Sequence, residues 1–252
     1  MIELLKKSNG IMLNMDIETI QYEEMNLTDP VAVVGFPSVG LTSSIMANMY
    51  AKSLDMVPIA GMASANMPPY CIVNSRKVLP PLRFFGYKNK RKNGHDVILC
   101  MTEYAPKPED CYATAIKVLQ YLKSKGVKTV ICMEGTPKFE GAKIMAVASG
   151  PNSEKLLKKS GVDVMSEGII RGFVGIMMYE APSRGMDIIT IMVPATAGVP
   201  DPGSSASFIE PISKLIPGFK TKPNELLKEA AIIQQQMEMA TKNLGETSQY
   251  IG

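Results

Sequence analysis

The feature that most constrains this chain is the alternation of short, continuously apolar runs with helical stretches. The apolar runs occupy 31–36, 57–63, 96–104 and 127–135, and the helical stretches occupy 41–54 and 107–126. Strands that are apolar on both faces and separated by helices are typical of a largely parallel sheet covered by helices on both sides. The order of elements therefore predicts an α/β protein built from two successive β-α-β units.

Three further segments extend this pattern. Residues 70–95 contain two β-type runs that read as antiparallel, which predicts a mixed sheet. A helical piece at 152–161 and an apolar strand at 186–194 follow. In the helix at 107–126, Pro108 suits the first turn, and Ala115, Val118, Leu119 and Leu122 form its apolar stripe.

Composition places the chain among ordinary globular proteins. It has 252 residues, of which 46% are hydrophobic and 20% charged, enough for one α/β domain spanning residues 1–252. A formal net charge of +3 is too weak to indicate nucleic acid or an acidic membrane as the main partner. The longest basic run, at 88–94, lies between β-type segments and is interpreted as a solvated hairpin turn.

The four cysteines and the first residues indicate a cytoplasmic protein. Cys71, Cys100, Cys111 and Cys132 show no metal-binding spacing, and Cys100 and Cys132 lie inside apolar runs, where we expect buried, reduced thiols. The opening ten residues lack the apolar stretch of a signal peptide, and no apolar run is long enough to span a membrane.

A glycine turn at 35–42, with the sequence GFPSVGLT, resembles a phosphate-binding loop except at one position. Such loops use free backbone N–H groups, a lysine on the phosphates and a hydroxyl on magnesium. Thr42 could supply the hydroxyl, but Leu41 stands where the lysine is needed, and Pro37 has no N–H to donate. We therefore interpret the segment as a tight strand-to-helix turn and predict no cofactor.

The same segment carries a resemblance to a known family. The strand followed by Gly-Phe-Pro-x-x-Gly-Leu and a helix resembles the opening of the archaeal branch of the proteasome assembly chaperone family. The likeness continues through the strand-helix-strand region at 97–135 and through 168–216, where the family shows Gly-x-x-x-Gly, a strand, an acidic-proline turn and paired C-terminal helices. It covers roughly residues 28–244.

The resemblance implies both a fold and a function. The family is similar in fold to nucleoside phosphorylases, so it implies a three-layer α/β/α sandwich around a central mixed sheet. It implies a non-catalytic assembly factor that binds proteasome α-subunits. The ATP-grasp label that some members carry is discounted, because this sequence has no lysine-bearing phosphate loop and no clear metal cluster.

An enzymatic alternative rests on carboxylates at strand ends. Glu103 and Glu134 are predicted at the carboxyl ends of two strands, where α/β sheets place their ligands, and the pair could share a proton or hold a metal. With Gly35, Gly40 and Thr42 they would form a small-molecule or nucleotide site in a phosphorylase-like fold. Asp201 could add a third carboxylate, although capping a turn or helix suits it better. The single histidine, His95, is expected at the surface.

The C-terminal region is predicted to be a helical extension over 200–244. A first helix is expected to break at Pro211, and a second runs from a cap at Asn224 to a stop at Gly245. Along the second helix a narrow apolar seam indicates packing against another helix, either within the chain or in a homo-oligomer. The seam consists of Leu226, Ala230, Ile233, Met237, Ala240 and Leu244.

A mobile tail is predicted over residues 245–252. It ends in Tyr250, Ile251 and Gly252, with the tyrosine third from the end. In the resembling family, a C-terminus of the type hydrophobic-Tyr-any inserts into pockets of the proteasome α-ring. The resemblance thus implies that these three residues contact α-subunits.

Overall fold

The computed structural model describes residues 17–221 except residues 75 and 93. The strands are β1 (Glu18–Gln21), β2 (Val31–Gly35), β3 (Val57–Ala63), β4 (Ile72–Asn74), β5 (Lys77–Leu79), β6 (Leu82–Tyr87), β7 (Val97–Met101), β8 (Thr129–Pro137), β9 (Met145–Ala148), β10 (Asp163–Val164) and β11 (Asp187–Ala195). The helices are α1 (Thr42–Ser53), α2 (Pro108–Ser124), α3 (Pro151–Leu157), α4 (Gly172–Ser183), α5 (Pro202–Ala206) and α6 (Ile209–Leu215).

A mixed sheet forms the centre of the molecule. Within the described residues it has nine strands in the order β1-β3-β6-β7-β2-β8-β11-β9-β10. The four central strands β7, β2, β8 and β11 are mutually parallel, whereas β6, β3 and β1 are added antiparallel on one side and β9 pairs antiparallel with β11 on the other. The predicted mixed sheet is therefore confirmed, and β4 and β5 form a separate hairpin.

Helices cover both faces of this sheet. One hydrophobic core contains residues of α1, α3 and α6, such as Ile45, Leu157 and Ile212. The other core contains residues of α2 and α4, such as Leu119 and Met177. These two groups of helices lie on opposite faces of the sheet. Successive residues of a strand point to opposite sides, so each strand contributes to both cores. The three-layer α/β/α sandwich is confirmed.

Most predicted elements appear in the structure. The apolar runs predicted as strands correspond to β2, β3, β7, β8 and β11, and the predicted helices to α1, α2 and α3. The α2 stripe is buried as expected, with Ala115, Val118, Leu119 and Leu122 all fully inaccessible. Three of the cysteines are buried and Cys71 is exposed, and all four are free thiols.

Two features of the later chain differ from the sequence analysis. The sequence pattern does not predict helix α4, because the helix is apolar around most of its circumference and has no stripe that would mark one buried face. The break in the C-terminal extension falls at residues 207–208, and Pro211 lies inside the first turn of α6. A proline is tolerated there, since the first turn of a helix has no intrahelical acceptor for its N–H. In the described part of the chain, no helix is both long and apolar enough to cross a membrane.

Candidate functional site

The glycine turn (residues 35–42) lies at the carboxyl ends of the parallel strands and begins α1. Gly40 has φ 64, in the left-handed region where glycine is favoured, and Leu41 follows with φ 52. A side chain at Gly40 would also come within 3.0 Å of Ala195 and Asp201. The turn is thus wedged between the end of β11 and the start of α5.

Several polar groups at the end of the glycine turn are bonded to the protein itself. The N–H groups of Leu41 and Thr42 donate to the carbonyls of Ser38 and Val39. The fully buried hydroxyl of Thr42 donates to the Val39 carbonyl at 3.2 Å. The Ser43 hydroxyl donates to the Met133 carbonyl of β8 at 2.8 Å. These bonds engage the N–H groups of Leu41 and Thr42 and the Thr42 hydroxyl, and the turn carries no cation that would neutralise a phosphate.

Close packing against β8 holds the turn in place. A Cβ atom on Gly135 would lie 2.2 Å from the Val39 carbonyl oxygen and 2.5 Å from the Thr42 hydroxyl oxygen. A Cβ atom on Gly35 would lie 2.6 Å from the Ala47 Cβ atom. Both glycines therefore permit the backbone contacts that fix the turn. A shallow groove of ≈ 340 Å³ beside it is lined by residues 38–41 and 197–200, none of which carries a charged side chain.

Glu103 follows the end of β7, as predicted, but it is committed to a buried ion pair. Its carboxylate accepts two hydrogen bonds from Arg83 of β6, one of them from Nη1 at 2.6 Å. Only 2% of the Arg83 side chain and 4% of the Glu103 side chain are exposed. Asn48 of α1 donates to the same carboxylate at 3.5 Å. Among the described residues, Arg83 Nε has no hydrogen-bond partner.

This ion pair also influences a neighbouring tyrosine. Burial, together with the Glu103 carboxylate, raises the pKa of Tyr70 to about 12, while Arg83 acts in the opposite direction. The phenol therefore stays protonated at neutral pH. A buried pair of this kind is balanced only while both partners are present, because removal of either one leaves an unpaired buried charge.

Glu134 lies within β8, which continues to Pro137, so the prediction that it marks the strand end is wrong. Its side chain shares the sheet face of Cys132, which belongs to the core beneath α2 and α4. Burial raises the pKa of the Glu134 carboxyl to about 8, and within the described residues no charge or hydrogen bond offsets this effect. At neutral pH this side chain is therefore largely a neutral carboxylic acid.

The two glutamates do not form the predicted pair. Glu103 contacts Asn48 on α1, on one face of the sheet. Glu134 points to the face covered by α2 and α4. Because the sheet separates them, they cannot share a proton or hold one metal ion. In the part of the chain that the structure describes, no three His, Cys, Asp or Glu side chains are grouped as metal ligands.

Asp201 and His95 occupy supporting positions, as expected. The Asp201 carboxylate accepts from the N–H of Ser204 at 2.9 Å and caps α5. The Ser204 and Thr196 donors hold the pKa of Asp201 below its usual value, although burial opposes them. His95 is partly exposed, with Nδ1 3.0 Å from a carboxylate oxygen of Asp29.

Sequence reasoning missed the partners that give these residues their roles. Arg83, Asn48 and Ser43 were not singled out, although Arg83 carries a usable signal: it is a cation inside the otherwise apolar strand β6. A charge in a buried strand requires a nearby counter-charge. The predicted seam from Leu226 to Leu244 and the tail residues Tyr250, Ile251 and Gly252 lie outside the described residues.

The fold and these contacts define a class of protein: an α/β/α sandwich with a mixed central sheet and a buried Arg83–Glu103 ion pair beside the end of β7. The chain belongs to the PAC2 family, whose model matches residues 32–241. It is also 22% identical over 242 residues to an uncharacterised protein of Methanocaldococcus jannaschii, MJ0106, covering 92% of this chain and 97% of that protein.

Two solved structures from Pyrococcus furiosus are similar over nearly their whole length. PbaA, described as an archaeal homolog of proteasome-assembly chaperone, is 26% identical with a TM-score of 0.75, covering 92% of this chain and 99% of PbaA. PbaB, described as an archaeal proteasome activator, is 18% identical with a TM-score of 0.74, covering 90% and 99%, which shows the shared fold. The ATP-grasp association finds no support in these matches.

Proposed function

We propose that this protein is a non-catalytic assembly chaperone or adaptor that binds proteasome α-subunits. The observation that carries the proposal is the similarity to PbaA, which extends over 92% of this chain at 26% identity. The engaged state of Glu103 and of the glycine turn supports a scaffold in preference to a catalyst, because these groups already have protein partners. The activity would then depend on surfaces of the molecule.

The decisive experiment mixes the full-length protein with purified α-subunits of the source organism and measures the mass of the product. We expect a complex that elutes together in size-exclusion chromatography and has a defined stoichiometry by native mass spectrometry. Capture from a native lysate should also retain α-subunits. Separate elution at every concentration tested would overturn the proposal.

The predicted tail contact gives this proposal a sharper form. Removal of Tyr250 to Gly252 should abolish α-subunit binding, because an aromatic anchor dominates the energy of a small interface. Tyr179→Ala is the matched control, since it removes a tyrosine that is 61% exposed on α4. Equal binding by the truncated and full-length proteins would assign the contact to the folded body.

We also propose that the protein is a homo-oligomer whose interface includes the Leu226–Leu244 seam. Ile233→Lys would introduce a charge into that apolar line and should lower the mass measured by light scattering. Gln235→Lys adds the same charge away from the seam and should leave the mass unchanged. An unchanged mass in both variants, with unchanged circular dichroism, would contradict the seam.

A further inference from the structure

The turn between β6 and β7, residues 88–95, carries charges that the described residues leave uncompensated. Lys90, Arg91 and Lys92 are exposed. Lys88, at the base of the turn, has its Nζ 3.4 Å from a carboxylate oxygen of Asp96. Within the described part of the chain, the other three cations of the turn form no ion pair with an acidic side chain. The outer part of the turn therefore presents three cations directly to solvent. We refer to Lys90, Arg91 and Lys92 as the basic tip.

Hydrogen bonds of the Asn89 side chain connect the basic tip to neighbouring backbone. Asn89 Nδ2 donates to the carbonyls of His95 and Pro217, both at 3.0 Å, and Asn89 Oδ1 accepts from the N–H of Arg91 at 3.0 Å. The Asn89 N–H donates to buried Asp96 at 2.9 Å. Charges on an ordered turn lose less conformational entropy on binding than charges on a frayed loop. The solvated turn predicted from the sequence is therefore joined through Asn89 to the segment that follows α6.

The basic tip lies beside the segment that follows α6. A Cβ atom on Gly218 would be 3.0 Å from the Arg91 Cβ atom, so the segment after α6 passes directly beneath the tip. Thr221, the last described residue, shares a 2.6 Å hydrogen bond with Ser53 at the end of α1. The exposed Lys220 adds a further positive charge to this segment.

We propose that the basic tip is a docking site for an acidic protein surface. Opposite charges steer encounter and select partners at such sites. Nucleic acid fits less well, because the basic tip offers three cations at a point and none of its three residues has an aromatic side chain on which bases stack. A membrane fits less well too, since none of the exposed large apolar side chains of the described chain comes from this turn.

This inference rests on the proposed function only for the identity of the partner. The test compares the full-length protein with Lys90→Glu/Arg91→Glu/Lys92→Glu and with a matched control, Lys155→Glu/Lys158→Glu/Lys159→Glu, which reverses three exposed lysines near α3. Fluorescence anisotropy measures binding to poly-L-glutamate, to duplex DNA and to phosphatidylserine vesicles. Size-exclusion chromatography measures binding to α-subunits in the same variants.

We expect the tip variant to bind poly-L-glutamate about tenfold or more weakly than the unmodified protein, and the control to bind within about twofold. Asn89→Ala retains all the charges but loosens the turn, and it should give an intermediate loss. Equal binding of poly-L-glutamate by the tip variant and the control would overturn the inference, as would tip-dependent binding that is stronger to DNA or to vesicles.

The α-subunit arm separates the two proposals. Binding of α-subunits that is insensitive to the tip variant would show that α-subunits are not the partner of the basic tip and would leave the proposed function standing. A failure of the unmodified protein to bind α-subunits would overturn the proposed function, and the poly-L-glutamate comparison would still decide the role of the tip. Circular dichroism of each variant confirms that the fold is retained.

Discussion

The two ends of the parallel strands use similar local chemistry for different purposes. At the carboxyl ends, the glycine turn bonds the Leu41 and Thr42 N–H groups and the Thr42 hydroxyl to its own carbonyls, and the next hydroxyl, of Ser43, bonds to β8. At the amino ends, the turn at 88–95 is also held by internal hydrogen bonds, but its outward side chains remain unpaired among the described residues. An uncharged turn packed closely against the sheet supports the fold, whereas a turn with uncompensated charge can bind a partner.

The buried ion pair provides the largest effect by which this distinction can be tested. Glu103→Gln leaves the Arg83 charge buried without its counter-charge, and it should lower the free energy of unfolding by about 3–5 kcal/mol. Urea denaturation measures the change. The control is Glu23→Gln, whose pair with Lys77 is half-exposed at 3.3 Å and should matter far less. An equal loss of unfolding free energy in the two variants would show that the buried ion pair contributes no more to stability than an exposed one.

Glu134, inside β8, differs from Glu103 because its largely buried carboxyl group has no compensating charge or hydrogen bond among the described residues. Its folded-state pKa of about 8 lies above the ordinary value of 4.5, so the folded state holds its proton more tightly than the unfolded state. The resulting stability is fully present below the unfolded pKa and is lost as pH rises through about 8.

Urea denaturation should therefore show a free energy of unfolding that falls by up to about 1.4 kcal/mol per pH unit as the pH rises from 4.5 to about 8. Glu134→Gln cannot ionise and should remove that slope. The exposed Glu154 of α3 offers a control, since Glu154→Gln should leave the slope in place. A slope that survives in Glu134→Gln would assign it to another group.

The contact between the glycine turn and β8 allows a smaller and more local test. Gly135→Ala would force a methyl group to within 2.2 Å of the Val39 carbonyl oxygen, and it should cost about 1–3 kcal/mol of stability. Gly150→Ala is the control, because its nearest atom would be 4.0 Å away. If both variants unfold at the same urea concentration, the turn is less tightly packed than its geometry indicates.

The smallest expected effect is a null result with nucleotide. Because the glycine turn has no cation and its Thr42 hydroxyl is bonded to the Val39 carbonyl, ATP or GTP with magnesium should leave the melting temperature unchanged. A ligand at 100 times its dissociation constant would add about 2.7 kcal/mol, which a thermal unfolding experiment detects easily. A clear nucleotide-dependent shift would reverse the contrast between the two ends of the sheet.

The order of elements was predictable because it depends on local patterns. The central strands are continuously apolar, and α2 has both a proline at its start and an apolar stripe. Each of these elements can therefore be predicted from a short stretch of sequence. Helix α4 was missed because a helix that is apolar nearly all round shows no period. Strand β1 was missed because all four of its residues are exposed and no alternation marks it.

The sequence by itself determined the α/β class and the presence of a basic turn between two strands. It also predicts a structural role for the glycine turn, because Leu41 removes the cation and Pro37 removes one backbone donor of a phosphate loop. Only the tertiary structure decided that Glu103 and Glu134 lie on opposite faces of the sheet. It also decided that Arg83 neutralises Glu103 and that Asn89 joins the basic turn to Pro217, 128 positions away. The physical reason is that pairing between distant residues depends on strand register and helix packing, which no short window of sequence contains.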